Sequence, residues 1–206
     1  MIKDFDLLQR ANNDYTTIDL EHAEELAYRE LIDSIRYISL GDECGVMGNI
    51  ANIITYKGRF YIQEEQFDRV FIYDDTGRCL KKIDNKGRGP GEYLRIESID
   101  INTEKEELML VDGMSDKLFF YDLDGNFKSI HSIRYFQTEN TLCLRDSVFL
   151  HISAPSQNFG NEGLYGYALV LSKGNENFLK GYRYLPLQVG YKGGGQIFKG
   201  YERSCY

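Results

Sequence analysis

A repeat sets the tightest limit on what this chain can fold into. Tyr121 lies 48 residues after Tyr73, and Gly125 lies 48 residues after Gly77. The chemistry around these landmarks also repeats. In the first unit, strand-like runs cover residues 49–56, 59–63, 69–73 and 78–83. In the second they cover 96–101, 107–111, 117–121 and a run opening at 127–131. Turn signals separate them: Lys57-Gly58, the 74–77 and 122–125 turns with Gly where φ must be positive, and polar loops at 64–68 and 112–116. Four short strands at such a period make one small twisted sheet. A sheet of this kind cannot cover both of its faces alone, and radial stacking of several copies does cover them. The pattern therefore predicts β-propeller blades.

A third unit is weaker, with strand candidates at 142–144, 148–152, 165–172 and 178–184 and a long loop at 154–163. The expected fold is all-β, a partial propeller of about three four-stranded antiparallel blades with a short N-terminal helix. That helix is placed over 21–34, where Ala23, Ala27, Leu31 and Ile35 step by four, and it is expected to pack on its own domain. Residues 1–17 read as a poorly ordered arm and 36–40 (R-Y-I-S-L) as a strand. The expected division is 1–40 for arm, helix and strand, 41–186 for the blades, and 187–206 for a loose Gly-rich tail.

Composition narrows the function classes. The 206-residue chain carries a net charge of −8, a poor basis for nucleic-acid binding. Sixteen Tyr and 12 Phe with no Trp suit half-buried sheets. The stripe Tyr61, Phe71, Tyr73, Phe119 and Tyr121 reads as blade-to-blade core. The four cysteines (Cys44, Cys79, Cys143, Cys205) form no C-x-x-C pair and the three His are scattered, which argues against zinc. Buried free thiols are the expectation, with a disulfide open in an oxidising compartment. No run approaches the roughly 20 apolar residues of a membrane span. Residues 1–10 hold no signal-peptide core, so the chain as written reads as cytoplasmic or as lacking its targeting segment.

The stretch from Gly91 to Lys128 runs G-x-Y, I-x-S-I-D-I, L-M-L-V-D and K-L-F-F-Y-D-x-D-G, which resembles an NHL-type repeat. With D-S-I-R-Y-I-S-L before it and G-R-G-P-G-E-Y (residues 87–93) between the blades, the chain resembles six-bladed, TolB-like propeller proteins of Bacteroides-type bacteria. Six blades at this period need about 290 residues, so a truncated member is expected. The resemblance implies a lipoprotein of the cell envelope. It also implies metal-dependent lactonases and lyases among the relatives, hence a calcium-dependent hydrolase-like or lyase-like enzyme as the alternative function.

Blade topology fixes where a site belongs. Successive strands run antiparallel, so loops 64–68, 87–93, 112–116 and 154–163 share one face, and the shorter turns occupy the other. Binding residues concentrate on loops held by a rigid scaffold. The candidates on that face are Gln66, Arg88, Glu92, Tyr93, Asp112 and Asp116. Arg88 offers a two-pronged grip on a carboxylate or phosphate, or a structural pairing with Glu92. Asp112 and Asp116 are candidate Ca²⁺ ligands, but D-G-M-S-D lacks the alternation of a strong calcium loop, and turn-capping is the favoured role. The paired aspartates at 74/75 and 122/124 are read as turn chemistry. There is no G-x-S-x-G elbow, and Gly193-Gly194-Gly195 lacks the Lys-Ser or Lys-Thr of a phosphate loop. His131 and His151 read as packed or surface histidines. The expected function is a non-catalytic binding module for a protein, peptide or carbohydrate ligand, with no cofactor and with self-association through open blade edges.

Overall fold

The middle strands of each unit carry runs of adjacent apolar residues rather than an alternation, which requires cover on both faces of the sheet. The computed structural model meets that requirement. It describes residues 3–4, 32–133, 140–145, 147–152, 167–174, 177–183, 190–192 and 195–197. A two-residue strand, β1 (Lys3–Asp4), comes first. The first unit gives β2 (Ile50–Tyr56), β3 (Arg59–Glu64), β4 (Arg69–Asp74) and β5 (Cys79–Ile83). The second gives β6 (Ser98–Asn102), β7 (Glu107–Asp112), β8 (Lys117–Asp122) and β9 (Phe127–Ser132). The third gives β10 (Asn140–Cys143), β11 (Val148–Ile152), β12 (Tyr167–Lys173) and β13 (Asn177–Arg183).

Each unit is one antiparallel meander in chain order, and β1 adds to β13 in parallel at the edge of the third sheet. The first strands of the three sheets are neighbours, with β6 beside both β2 and β10. This is the arrangement of propeller blades around an axis. The fold is therefore an all-β partial propeller of three blades.

The cores lie between blades. Tyr61, Val70 and Ile72 of blade 1 meet Ile99, Leu108 and Phe119 of blade 2. Met109, Leu118 and Phe120, on the other side of blade 2, meet Phe149 and Val170 of blade 3. All five residues of the aromatic stripe are buried, but only Tyr61, Phe119 and Tyr121 lie between blades; Phe71 and Tyr73 pack on the other side of blade 1, under Cys44 and Met47, which corrects the reading of the whole stripe as blade-to-blade core. Backbone turns follow the repeat as well: Gly77 and Gly125 have φ of 87° and 78°. A Cβ on Gly77 would lie 2.1 Å from the Ser39 carbonyl oxygen, so that position excludes a side chain twice over.

Several expectations change. Residues 36–40 are not a strand: the segment pairs with no sheet and runs past the 74–77 turn, fixed by Arg36 Nη2 to the Asp75 oxygen (3.1 Å) and Gly41 N to the Gly77 oxygen (2.8 Å). Its contacts are with the 74–77 turn rather than with the ladder of the β5 edge. Cys44 and Cys79 are not free thiols but a disulfide, because segment 41–48 lies against the outer face of blade 1, where Cys79, Phe71 and Tyr73 are buried. Cys143 is free, and burial pushes its thiol up to about 12. Within the expected loose tail, β14 (Gly190–Lys192) and β15 (Gly195–Ile197) form a hairpin, and within the expected arm lies β1. The expected helix and the 154–163 loop lie outside the described residues, apart from 32–34, which are not helical.

The interface of blades 2 and 3 holds a buried polar chain. His151 is 2% exposed, with Thr141 Oγ1 2.9 Å from Nδ1 and Ser172 Oγ 2.8 Å from Nε2. Burial pulls its pKa down to about 4 from an ordinary 6.5, since the charged ring would lose its hydration. The neutral form is the one that folds. Its contribution is complete above pH 6.5 and is lost as pH falls toward 4, a change of about 3 kcal/mol. Urea titrations at pH 7, 5.5 and 4.5 should show this loss, and His151→Gln should remove that part of the pH dependence. Parallel curves for the two proteins would refute the assignment.

Candidate functional site

Loops 64–68 and 112–116 occupy equivalent places in blades 1 and 2, and each is organised by its first carboxylate. Glu64 accepts from the backbone N–H groups of Gln66 (3.0 Å) and Phe67 (3.2 Å). Asp112 accepts from those of Met114 (3.0 Å) and Ser115 (3.1 Å) and from the Ser115 hydroxyl (2.6 Å). Each loop ends on an aspartate in the left-handed region, Asp68 at φ 57° and Asp116 at φ 53°. Aspartate tolerates that conformation better than most residues.

The connection between blades is tied down on top of these loops. Tyr93 is fully buried. Its hydroxyl donates to the Asp68 carbonyl (2.8 Å) and accepts from the Asn85 N–H (3.1 Å), and its ring meets Phe119 edge-on with centroids 6.0 Å apart. Burial raises its phenol strongly. Asp68 also pairs with Lys86 and accepts from Ile96 N (3.1 Å), while Asp112 reaches across to Leu94 N (2.7 Å). Inside the G-R-G-P-G-E-Y loop the Glu92 carboxylate folds back to accept from Gly89 N at 2.6 Å. A Cβ on Gly87 would sit 2.0 Å from a Glu92 oxygen, so a side chain there would displace the Glu92 carboxylate.

The three described loops are thus joined into one face. The opposite end is held separately: Arg59 binds the Leu123 carbonyl (2.8 Å) and Asp124 (2.7 Å), and Lys57 pairs with Glu106. Asp74 and Asp122 lie at that end, and each accepts from backbone N–H groups of its own turn.

The six sequence candidates divide in two. Tyr93 and Asp112 are buried, and their polar atoms are engaged by the scaffold. The sequence shows an aromatic and an acid in loops, but not that both point inward. Both Asp112 oxygens accept hydrogen bonds from the loop backbone, Ser115 or Leu94. Gln66, Arg88, Glu92 and Asp116 are exposed on the face. Arg88 pairs with none of the described residues, Glu92 included. Burial and the neighbouring Asp112 charge raise the Asp116 carboxyl above the usual range. Sequence reasoning passed over two apolar members of the same loops, Phe67 (46% exposed, under the Arg69 guanidinium) and Met114 (64% exposed). Large apolar side chains in otherwise polar loops were the available signal. Among the described residues no group of three or more His, Cys, Asp or Glu is placed to hold a metal.

A protein of Bacteroides fragilis described as a candidate exported protein has a similar crystal structure, with 19% identity and a TM-score of 0.66. The match covers 77% of this chain and 44% of that one, so this chain spans less than half the length of that relative. Weaker likenesses are to the WD40 repeats of RRP9 (11% identity, 65% of this chain and 38% of that one, TM-score 0.46) and to a DUF4221 protein of Bacteroides vulgatus (9%, 64% and 41%, TM-score 0.41). No curated protein matches the sequence. The family model described as "Domain of unknown function (DUF4934)" matches residues 15–201, and the chain belongs to that family.

Proposed function

We propose that the chain is a non-catalytic propeller module that binds a protein, peptide or carbohydrate ligand on the face built from loops 64–68, 87–93 and 112–116. One observation carries this reading. Arg88 stands exposed and pairs with none of the described residues, on a loop whose backbone is fixed from below by Tyr93, so an ordered scaffold presents its guanidinium. A planar guanidinium held in that way suits a carboxylate or phosphate of the ligand. Phe67 and Met114 supply apolar contact on either side, and Gln66, Glu92 and Asp116 supply polar groups.

The wider assignment is of the same kind. The chain is proposed to be part of a six-bladed, TolB-like or NHL-type propeller, on the strength of its 48-residue repeat and of a relative more than twice the matched length. A cell-envelope location is proposed from two supports. One is the exported relative, and the other is the Cys44–Cys79 disulfide, which persists where thiols are not kept reduced.

The test is binding to arrayed peptides and glycans, followed by calorimetry on the best hit. Arg88→Ala should weaken that hit by at least about tenfold, the range expected for a central arginine contact, with the melting temperature unchanged. Asp124→Ala, at the opposite end, should leave affinity intact. Equal affinity for the wild type and Arg88→Ala would refute the reading, as would turnover of any arrayed ligand.

A further inference from the structure

We propose that the cleft between the outer strands of blades 1 and 2 binds an acidic monosaccharide, through the Tyr121 hydroxyl and the Lys81 ammonium. This site lies on the rim of the blade boundary and does not use Arg88, so it is independent of the loop face.

The buried tyrosines supply the first argument. Tyr61, Tyr73, Tyr93 and Tyr121 are each 1% exposed or less. Three of their hydroxyls donate to carbonyl oxygens: Tyr61 to Leu123 (3.1 Å), Tyr73 to Gly41 (3.2 Å) and Tyr93 to Asp68 (2.8 Å). The fourth, on Tyr121, makes no hydrogen bond to the described residues. The repeat sharpens the contrast, because Tyr121 is the 48-residue equivalent of Tyr73. Segment 41–48 brings a carbonyl to Tyr73, whereas blade 1 brings none to Tyr121. A buried hydroxyl without a partner is costly, and its place beside a cleft needs a reason. Burial raises this phenol to about 12, so it is a donor at neutral pH.

Tyr121 borders a cleft of about 280 Å³, whose other walls come from β5 and from the turn into β9. The lining holds two lysines and no carboxylate, in a chain where acids outnumber bases 32 to 24. Lys82 is neutralised by Asp84 at 3.3 Å. Lys81 is exposed and pairs with none of the described residues. Its stem lies against the 122–125 turn, where a Cβ on Gly125 would come 2.9 Å from Lys81 Cγ. One uncompensated cation thus shares the cleft with one unsatisfied hydroxyl.

Three more groups define the ligand. Asn85 and Asn126 are exposed at the cleft, and each amide carries a donor and an acceptor, the combination that neighbouring sugar hydroxyls match. The Phe127 ring, 45% exposed, stands edge-on to Tyr121 with centroids 5.7 Å apart. An aromatic face attracts the slightly positive C–H groups of a pyranose. The single free cation calls for one carboxylate. A hexuronate combines these parts at a size that suits a cleft near the small end of ligand sites.

The test is titration of the full chain with D-glucuronate and D-galacturonate, followed by calorimetry and by amide NMR shifts. At least one acid should bind, with shifts centred on residues 81–85 and 121–127. D-glucose or D-galactose should bind about tenfold more weakly, the worth of a charge-assisted hydrogen bond. Acetate, which has no hydroxyls, should not bind measurably. Lys81→Gln should bring the acid down to the affinity of its neutral sugar. Tyr121→Phe should weaken both about tenfold without lowering the melting temperature, since its hydroxyl has no partner to lose. A disaccharide ending in the uronate that binds as tightly assigns a glycan chain end as the source, and one that is excluded assigns the free acid. Arg88→Ala should leave uronate affinity unchanged, which keeps this site and the loop face separately testable. The proposal is overturned if neither acid binds, if either cleft variant binds like the wild type, or if Arg88→Ala abolishes binding. A Tyr121→Phe protein that melts lower yet keeps its affinity would overturn it as well, as the mark of a hydroxyl that serves the fold through an ordered water.

Discussion

Tyr93→Ala should destabilise the protein by about 4 kcal/mol, the range for deleting a fully buried aromatic side chain. The ring fills the space between the blades against Phe119, and its hydroxyl joins the Asp68 carbonyl to the Asn85 N–H, so its removal leaves a cavity and two stranded backbone groups. Tyr93→Phe separates the two contributions. It keeps the packing and should cost about 1–3 kcal/mol for the unsatisfied polar groups alone. Both values come from urea unfolding followed by circular dichroism. The Phe variant should also loosen the 87–93 loop, and amide exchange at Gly87, whose N–H bonds the Tyr93 carbonyl at 2.9 Å, should accelerate. A Tyr93→Ala protein as stable as the wild type would mean that this residue does not anchor the loop face.

Loss of the Cys44–Cys79 bond is the second large effect. The bond links positions 35 residues apart, and its chain-entropy contribution is about 3–4 kcal/mol. Cys44→Ala with Cys79→Ala should therefore lower the melting temperature by about 10 °C, given a shift of roughly 2–4 °C per kcal/mol for a domain of this size. Reducing agent should lower the wild type to the same point and leave the double variant unmoved. If the wild type melts identically in reducing and oxidising buffer, the bond does not support the fold. Opening it should also release segment 41–48 from Phe71 and Tyr73, which would be read as binding of a hydrophobic dye at temperatures below the main transition.

Half of the loop face could be read from residue order. Antiparallel strands of known number place alternate loops at alternate ends, and loops 64–68, 87–93 and 112–116 are joined as that parity requires. The direction of individual side chains could not be read. Asp112 and Asp116 stand four positions apart in one loop, yet the first accepts hydrogen bonds from its own loop and from Leu94, while the second is exposed. Arg88 and Glu92 share a loop and carry opposite charges, but Glu92 turns to the Gly89 N–H rather than to Arg88. Such choices depend on which donors come within about 3 Å once the loop has its folded path, and spacing along the chain does not contain that distance.

What the sequence by itself determined is therefore the local and periodic part of this protein. The 48-residue repeat, the glycines at 77 and 125 and the aromatic runs specify strands, turns and two-sided sheets, because turn geometry and side-chain alternation act over a few residues. Tertiary structure decided the rest. The run at 36–40 has a strand's composition but is held against the 74–77 turn, and it lies unpaired there. Cys44 and Cys79 bond because a segment outside the repeat lies over the exposed side of the first blade. Tyr93 anchors the loop face because a second blade arrives to bury it. In each case the outcome turns on what is packed against a residue from far along the chain, and burial and hydrogen-bond partners are set there.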